Sequence, residues 1–133
     1  MFEAKVYKIA ILSLSDLVEE TFAAKESVRQ WTVANAERSG KLFLTVDDPQ
    51  TADILVGVVG NWLEKTDLIE DSLNAGKRVL LLFNTHFDPE NTIPSEQTAV
   101  MDYMNQMQQR CYCAEFNGKA QLGQLVNEQL EAI

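Results

Sequence analysis

Ile54-Leu55-Val56-Gly57-Val58-Val59, followed by Gly60, is a run of apolar and small residues with no polar interruption. A strand with one wet face alternates apolar and polar residues, so an unbroken short run reads as a strand covered on both sides. Arg78-Val79-Leu80-Leu81-Leu82-Phe83 repeats the pattern downstream. Between them, 67–75 reads as a helix closed by Gly76. Two doubly buried strands joined through a helix are the repeating unit of a parallel sheet.

Upstream, 6–12 is apolar and β-branched enough for a strand and runs into Ser13-Leu14-Ser15-Asp16. Asp16, with Glu19 three residues on, predicts a capping box at a helix start. Leu17, Thr21, Ala24, Val28 and Trp31 step by four, three, four and three along one helical face, and Ser39-Gly40 marks the stop. A second strand covers 41–46; Asp47-Asp48-Pro49 breaks it and opens a short helical turn through Ala52. Downstream, 84–94 is a polar loop holding Asp88-Pro89 and Asn91. Ser95 is predicted to cap a helix to about Gln109, with Val100, Met101, Met104 and Met107 on its apolar side. A fifth strand follows at 111–116, then a terminal helix at 122–133 with Leu122, Leu125, Val126, Leu130 and Ile133 inward. This alternation predicts a flavodoxin-like three-layer α/β sandwich with a five-stranded parallel sheet in the order 2-1-3-4-5. No repeat or linker interrupts 1–133, so one domain is expected.

At 133 residues, 46% apolar and 23% charged, the chain has the composition of a globular domain. A net charge of −9 and scattered basic residues argue against nucleic acid and anionic membrane as partners. No apolar run approaches the roughly 20 residues needed to span a bilayer, and the N-terminus lacks a signal peptide's apolar region. A cytoplasmic location is therefore expected. Cys111 and Cys113 stand in a C-x-C spacing. The expectation is of side chains on opposite strand faces, unsuited to a mutual disulfide, and of thiols in a reducing compartment. No metal constellation is visible, the only histidine being His86.

In such a fold, ligands bind beyond the carboxyl ends of the strands, at the switch point between the first and third. The loops to read are 13–16, 47–49, 60–66 and 84–87. Ser13, Ser15 and Asp16 offer hydroxyls and a carboxylate at a helix start; helix capping is the plainer reading of the last two. A G-x-G-x-x-G motif and a P-loop are both absent, and FMN is not supported, so no cofactor is expected. Gly60 permits close backbone approach, while Asn61 and Trp62 suit hydrogen bonding and stacking on a base or sugar. Asp67 and Glu70 follow, three apart on one helical face, where a carboxylate could attack an anomeric carbon or stabilise an oxocarbenium-like transition state. The plainer reading is that Asp67 caps the helix and Glu70 faces water. Asn84 and His86 complete the candidate set, His86 as a general acid or base with no triad partner nearby in sequence.

Ser13, Asp16-Leu17 with Glu20, the stretch Thr51-Ala52-Asp53-Ile54-Leu55-Val56-Gly57-Val58-Val59-Gly60, and Ala75-Gly76-Lys77-Arg78 with its following strand together carry a resemblance. Over nearly its whole length the chain resembles the TIR-like and nucleoside deoxyribosyltransferase-like superfamily, most closely the uncharacterised TIR-like N-terminal domains of bacterial signalling ATPases. The resemblance implies cleavage or transfer of an N-glycosidic bond of NAD or a (deoxy)nucleoside. It assigns Glu70 as the catalytic acid, or Asp67 if the helix register differs, with Asn61, Trp62 and Ser13 positioning the ligand. The chain departs from the pattern at Arg78, where proline is usual, and at Thr21, where an arginine often follows the first helix's acid. The alternative is a non-catalytic signalling or protein-interaction module on the same fold. A homodimer or a partner protein is a further expectation, since small parallel-sheet domains often pair through their helices.

Overall fold

The computed structural model describes residues 3–86, 90 and 93–133. Its elements run β1 (Lys5–Ser13), α1 (Val18–Ser39), β2 (Lys41–Thr45), β3 (Ile54–Val59), α2 (Thr66–Asn74), β4 (Arg78–Phe83), α3 (Pro94–Met107), β5 (Tyr112–Glu115) and α4 (Gly118–Ala132). All pairings are parallel, in the order β2-β1-β3-β4-β5. The fold is the flavodoxin-like α/β sandwich expected.

Alternation along each strand divides the core into two layers. Ile9 and Ile11 of β1, Val56 and Val58 of β3, and Leu80 and Leu82 of β4 face α1 and α4, meeting Ala24, Val28, Trp31, Leu122, Val126 and Leu130. Ala10, Leu55, Val59, Val79, Leu81 and Phe83 face the other way, against Ile69 of α2 and Val100, Met104 and Met107 of α3. β3 is buried at every residue. The apolar faces expected of α1, α3 and α4 are the buried ones.

The two crossovers beside β1 differ in kind. From β1 to β2 the chain returns along the whole sheet through α1. From β2 to β3 it needs no helix, because the strands are staggered: Ile9 of β1 pairs with Thr45, where β2 ends, and with Ile54, where β3 begins. Segment 46–53 therefore steps across β1 at one level. Val46 N–H donates to Ile9 O at 2.9 Å and Asp53 N–H donates to Lys8 O at 2.7 Å. The Asp53 carboxylate also accepts the Lys8 N–H, which lies below the start of β3, at 2.8 Å. The expected helical element through Ala52 is a hydrogen-bonded turn at 48–52.

Several expected boundaries are corrected. Asp16 does not cap α1; Leu17 precedes the helix and no side-chain cap forms, because the Asp16 carboxylate is bonded to Asn61. Ser95 does not cap α3, which starts one residue earlier, at Pro94, whose missing N–H is an orphan at a helix start anyway. α4 begins at Gly118 rather than Leu122. The expected placement of the two cysteine side chains on opposite faces is overturned. Residues two apart on a strand share a face, and Cys111 and Cys113 both pack in the α2/α3 layer while Tyr112 and Ala114 face the other. Phe87, Asp88, Pro89 and Asn91 of the expected 84–94 loop lie outside the described residues.

Candidate functional site

At the switch point the crossovers after β1 and β3 leave on opposite faces, and the loops between them are where a ligand would enter. Here those loops are laced together. Ser15 Oγ accepts the Gly60 N–H at 2.6 Å. The Asp16 carboxylate takes both Asn61 donors, the backbone N–H at 3.2 Å and Nδ2 at 2.7 Å. One step further, Glu64 N–H donates to Leu14 O at 2.6 Å. Gly60 is required by this lacing: a Cβ there would fall 2.5 Å from Asp16 Oδ1 and 2.6 Å from Leu17 Cγ. The close approach that the glycine permits is thus to the chain's own β1–α1 loop. Ser13, at the end of β1, donates its hydroxyl to Ser15 O at 3.2 Å. The structure brings Ser13, Ser15, Asp16, Gly60 and Asn61 together.

The remaining candidates lie outward of that knot. Trp62 is half-buried and its indole Nε1 donates to Glu64 Oε1 at 2.8 Å. Trp62, Leu63 and Glu64 form one side of an open cleft of about 590 Å³, with Ile93 and Glu96 at the start of α3 opposite. Asn84 follows β4 with its N–H bonded to Val59 O, and its Oδ1 accepts the His86 N–H at 3.0 Å. The His86 side chain is exposed.

Asp67 and Glu70 are not drawn into this assembly. Lys65, in the left-handed region at φ 58°, precedes α2, so Asp67 is an exposed first-turn residue and not the cap. Glu70 lies in mid-helix and forms a two-pronged ion pair with Arg110, its Oε1 and Oε2 at 2.5 and 2.8 Å from Nη1 and Nη2. Arg110 stands just before β5, at the amino end of the sheet, opposite the switch point. Its guanidinium holds the Glu70 carboxyl below its ordinary value of 4.5. Such a carboxylate is an ion-pair partner already engaged.

Sequence reasoning missed Arg110 and Tyr103. Arg110 is 40 residues from Glu70, so no local spacing announces the pair. Tyr103 carries a buried hydroxyl without a hydrogen-bond partner among the described residues, and burial with the nearby Glu70 charge pushes it up to about 12. Its place on α3 facing β5 was legible only through the Met101, Met104, Met107 periodicity. Among the described residues, no group of three or more His, Cys, Asp and Glu could hold a metal, and no helix is long and apolar enough to cross a membrane. The chain matches no protein-family model and no curated protein.

Proposed function

We propose that the chain is a non-catalytic signalling or protein-interaction module that has kept a nucleotide-binding type of fold. The observation that carries this reading is the lacing of the switch point, where the Ser15 hydroxyl accepts from Gly60 and the Asp16 carboxylate accepts from Asn61. A ligand that parted these loops would break those bonds, and a buried polar group such as Asn61 left unpaired costs about 1–3 kcal/mol. The engagement of Glu70 by Arg110 supports the same conclusion. A binding role also suits the surface: Val18 and Phe22, one turn apart on α1, are 72% and 65% exposed. Neighbouring exposed apolar side chains of this size suit a protein partner.

The test is a thermal-shift panel of the purified chain with NAD, nucleosides, deoxynucleosides and nucleotides in large excess, alongside an NAD-hydrolysis assay. A ligand at about a hundred times its dissociation constant stabilises by about 2.7 kcal/mol, several degrees for a domain of this size. The expected result is no shift and no hydrolysis. Hydrolysis lost in Glu70→Gln or Asp67→Asn would replace the module with a glycosidase.

One observation favours a second reading, nucleoside binding without catalysis: the Trp62 indole edges the open cleft facing Ile93. A melting shift that disappears in Trp62→Ala, with no hydrolysis, would place a base there.

A further inference from the structure

The amino end of the sheet, remote from the switch point, carries a surface cavity of about 390 Å³. Its lining runs from Leu73 of α2, across the starts of β4 and β5, to Gln129 of α4. In a chain of net charge −9, that lining holds Lys77, Arg78 and Arg110 and no Asp or Glu. Leu80 pairs with Tyr112, so the two arginines stand two residues ahead of one level on adjacent strands. Neighbouring strands lie about 4.8 Å apart, a spacing that one peptide segment can bridge.

The three cations are not equally occupied. Lys77 Nζ donates to Pro49 O at 2.9 Å and to Gln50 O at 2.8 Å, and so holds the 48–52 turn. Arg110 is paired with Glu70 through Nη1 and Nη2. A guanidinium carries five N–H donors, more than that pair uses. Arg78 is exposed, and its guanidinium has no ion pair or hydrogen bond among the described residues. Bases often gather where helices end, because they offset the negative end of the helix dipole. That accounts poorly for Arg78, since the end of α2 is already served. Ser72 O accepts the Lys77 N–H and Leu73 O accepts the Gly76 N–H, both at 3.0 Å.

We propose that this cavity docks an acidic segment of a partner protein, with one carboxylate on Arg78 and another on the free edge of Arg110. The proposal rests on the reading of the chain as a protein-interaction module and names the chemistry of its partner. Charge complementarity selects the occupant: the lining is basic throughout, and the planar guanidinium fork matches a carboxylate. Phosphate is the other anion that arginines take. Phosphate sites draw on the N–H groups and positive dipole of a helix N-terminus, whereas α2 and α3 bring their C-termini to this end. Carboxylates of single charge suit guanidinia acting alone. Glu70 serves here as a positioning residue, holding Arg110 at the rim of the cavity.

The test is fluorescence anisotropy of the full chain with a short fluorescein-labelled glutamate-rich peptide at fixed ionic strength. Saturable binding is expected, weakened about fivefold in Arg78→Gln and in Arg110→Gln and lost when both are changed. Glu70→Gln breaks the same ion pair as Arg110→Gln but keeps both guanidinia, and should bind at least as well as wild type. Absence of saturable binding would overturn the site. Equal weakening by Lys65→Gln would do the same, because that variant makes the same charge change at the start of α2, at the other end of the sheet. So would displacement of the peptide by inorganic phosphate at matched ionic strength. Self-association of the free chain that Arg78→Gln abolishes would make the occupant a second copy, and no partner protein would be needed. Should a variant unfold, amide chemical shifts of the wild type decide: the peptide is expected to move those of Gly76, Arg78, Arg110 and Tyr112. Shifts confined to the switch point would rule the site out. Failure here leaves the non-catalytic module standing, since that reading falls only with hydrolysis or a nucleoside shift.

Discussion

Phe43 and Leu44 are neighbours on β2, yet the first is 3% exposed and the second 51%. The difference comes from the crossovers and not from the side chains. Phe43 points to the face that α1 covers on its return from β1, where its ring packs edge-on against Trp31 and stacks on Tyr7. Leu44 points to the opposite face. There α2 packs on β3 and β4, α3 packs on β5, and the 46–53 crossover spans β1 only at the level of Lys8 and Ile9. Leu44, level with Lys8 at the margin of that crossover, and Val6 below it are half exposed. A strand's burial therefore depends on where its neighbours begin and end, since the stagger of β2 and β3 is what removed the need for a covering helix.

Paired truncations put the comparison to its strongest test. Phe43→Ala should cost roughly 3–5 kcal/mol, as a buried aromatic does. Leu44→Ala should change stability by no more than about 0.5 kcal/mol. Chemical denaturation of both variants measures the contrast. Similar losses would mean that the β1–β2 face is covered in solution, by another copy or another chain, and dependence of the Leu44→Ala effect on protein concentration would identify a self-interface.

The next effect in size is expected where the two faces meet above the sheet. Gly60→Ala drives a methyl group against Asp16, Leu17 and Ser15, and relief requires parting the β1 and β3 loops. A loss of about 1–3 kcal/mol is expected, the usual cost of overpacking. Unchanged stability would mean that the loops part easily and that the switch point is free to admit a ligand.

The fold was legible because it rests on local signals. The unbroken apolar runs of β3 and β4 and the stepwise Thr21, Ala24, Val28, Trp31 face each report burial directly, and the structure buries those residues. Capping was less legible. Asp16 has the right residue type for a cap, but a carboxylate goes to the better donor pair, and Asn61 is 45 residues away. The candidate residues were picked out by the rule for doubly wound sheets, and what they bond to could not be. Ser15, Asp16, Gly60 and Asn61 look the same in sequence whether they face a ligand or one another. The Glu70–Arg110 pair and the sheet face left open at Leu44 depend on long-range register, which no window of sequence contains.

A smaller effect should follow from the edge of β2. The hydroxyl of Thr32, reaching over from α1, accepts the Phe43 N–H at 3.3 Å and donates to Phe43 O at 3.5 Å, and Ser39 Oγ accepts the Lys41 N–H at 3.2 Å. These bonds occupy outward-facing backbone groups that an edge strand otherwise offers to other strands. Thr32→Val keeps the shape and removes the hydroxyl, and should cost about 0.5–1.5 kcal/mol. Light scattering of the variant should show association through the freed edge. A monomeric variant would mean that α1 shields β2 by its bulk alone.

The smallest effect is expected at Glu70, on the part of the second face that α2 does cover. Its ion pair with Arg110 ties α2 to the chain entering β5, but both side chains are more than 40% exposed, and pairs in water contribute little. The sign can still be read from pH. Because Arg110 lowers the Glu70 pKa in the folded state, the stabilisation is present above the unfolded value and is lost as pH falls through the folded one. Wild type and Glu70→Gln should therefore melt together in strong acid and separate slightly, with wild type higher, as pH rises past 4.5 towards neutrality. A catalytic carboxylate raised by burial would give the opposite order, with the variant more stable near neutral pH. That outcome would return Glu70 to the candidate acids and undo the ion-pair account of α2.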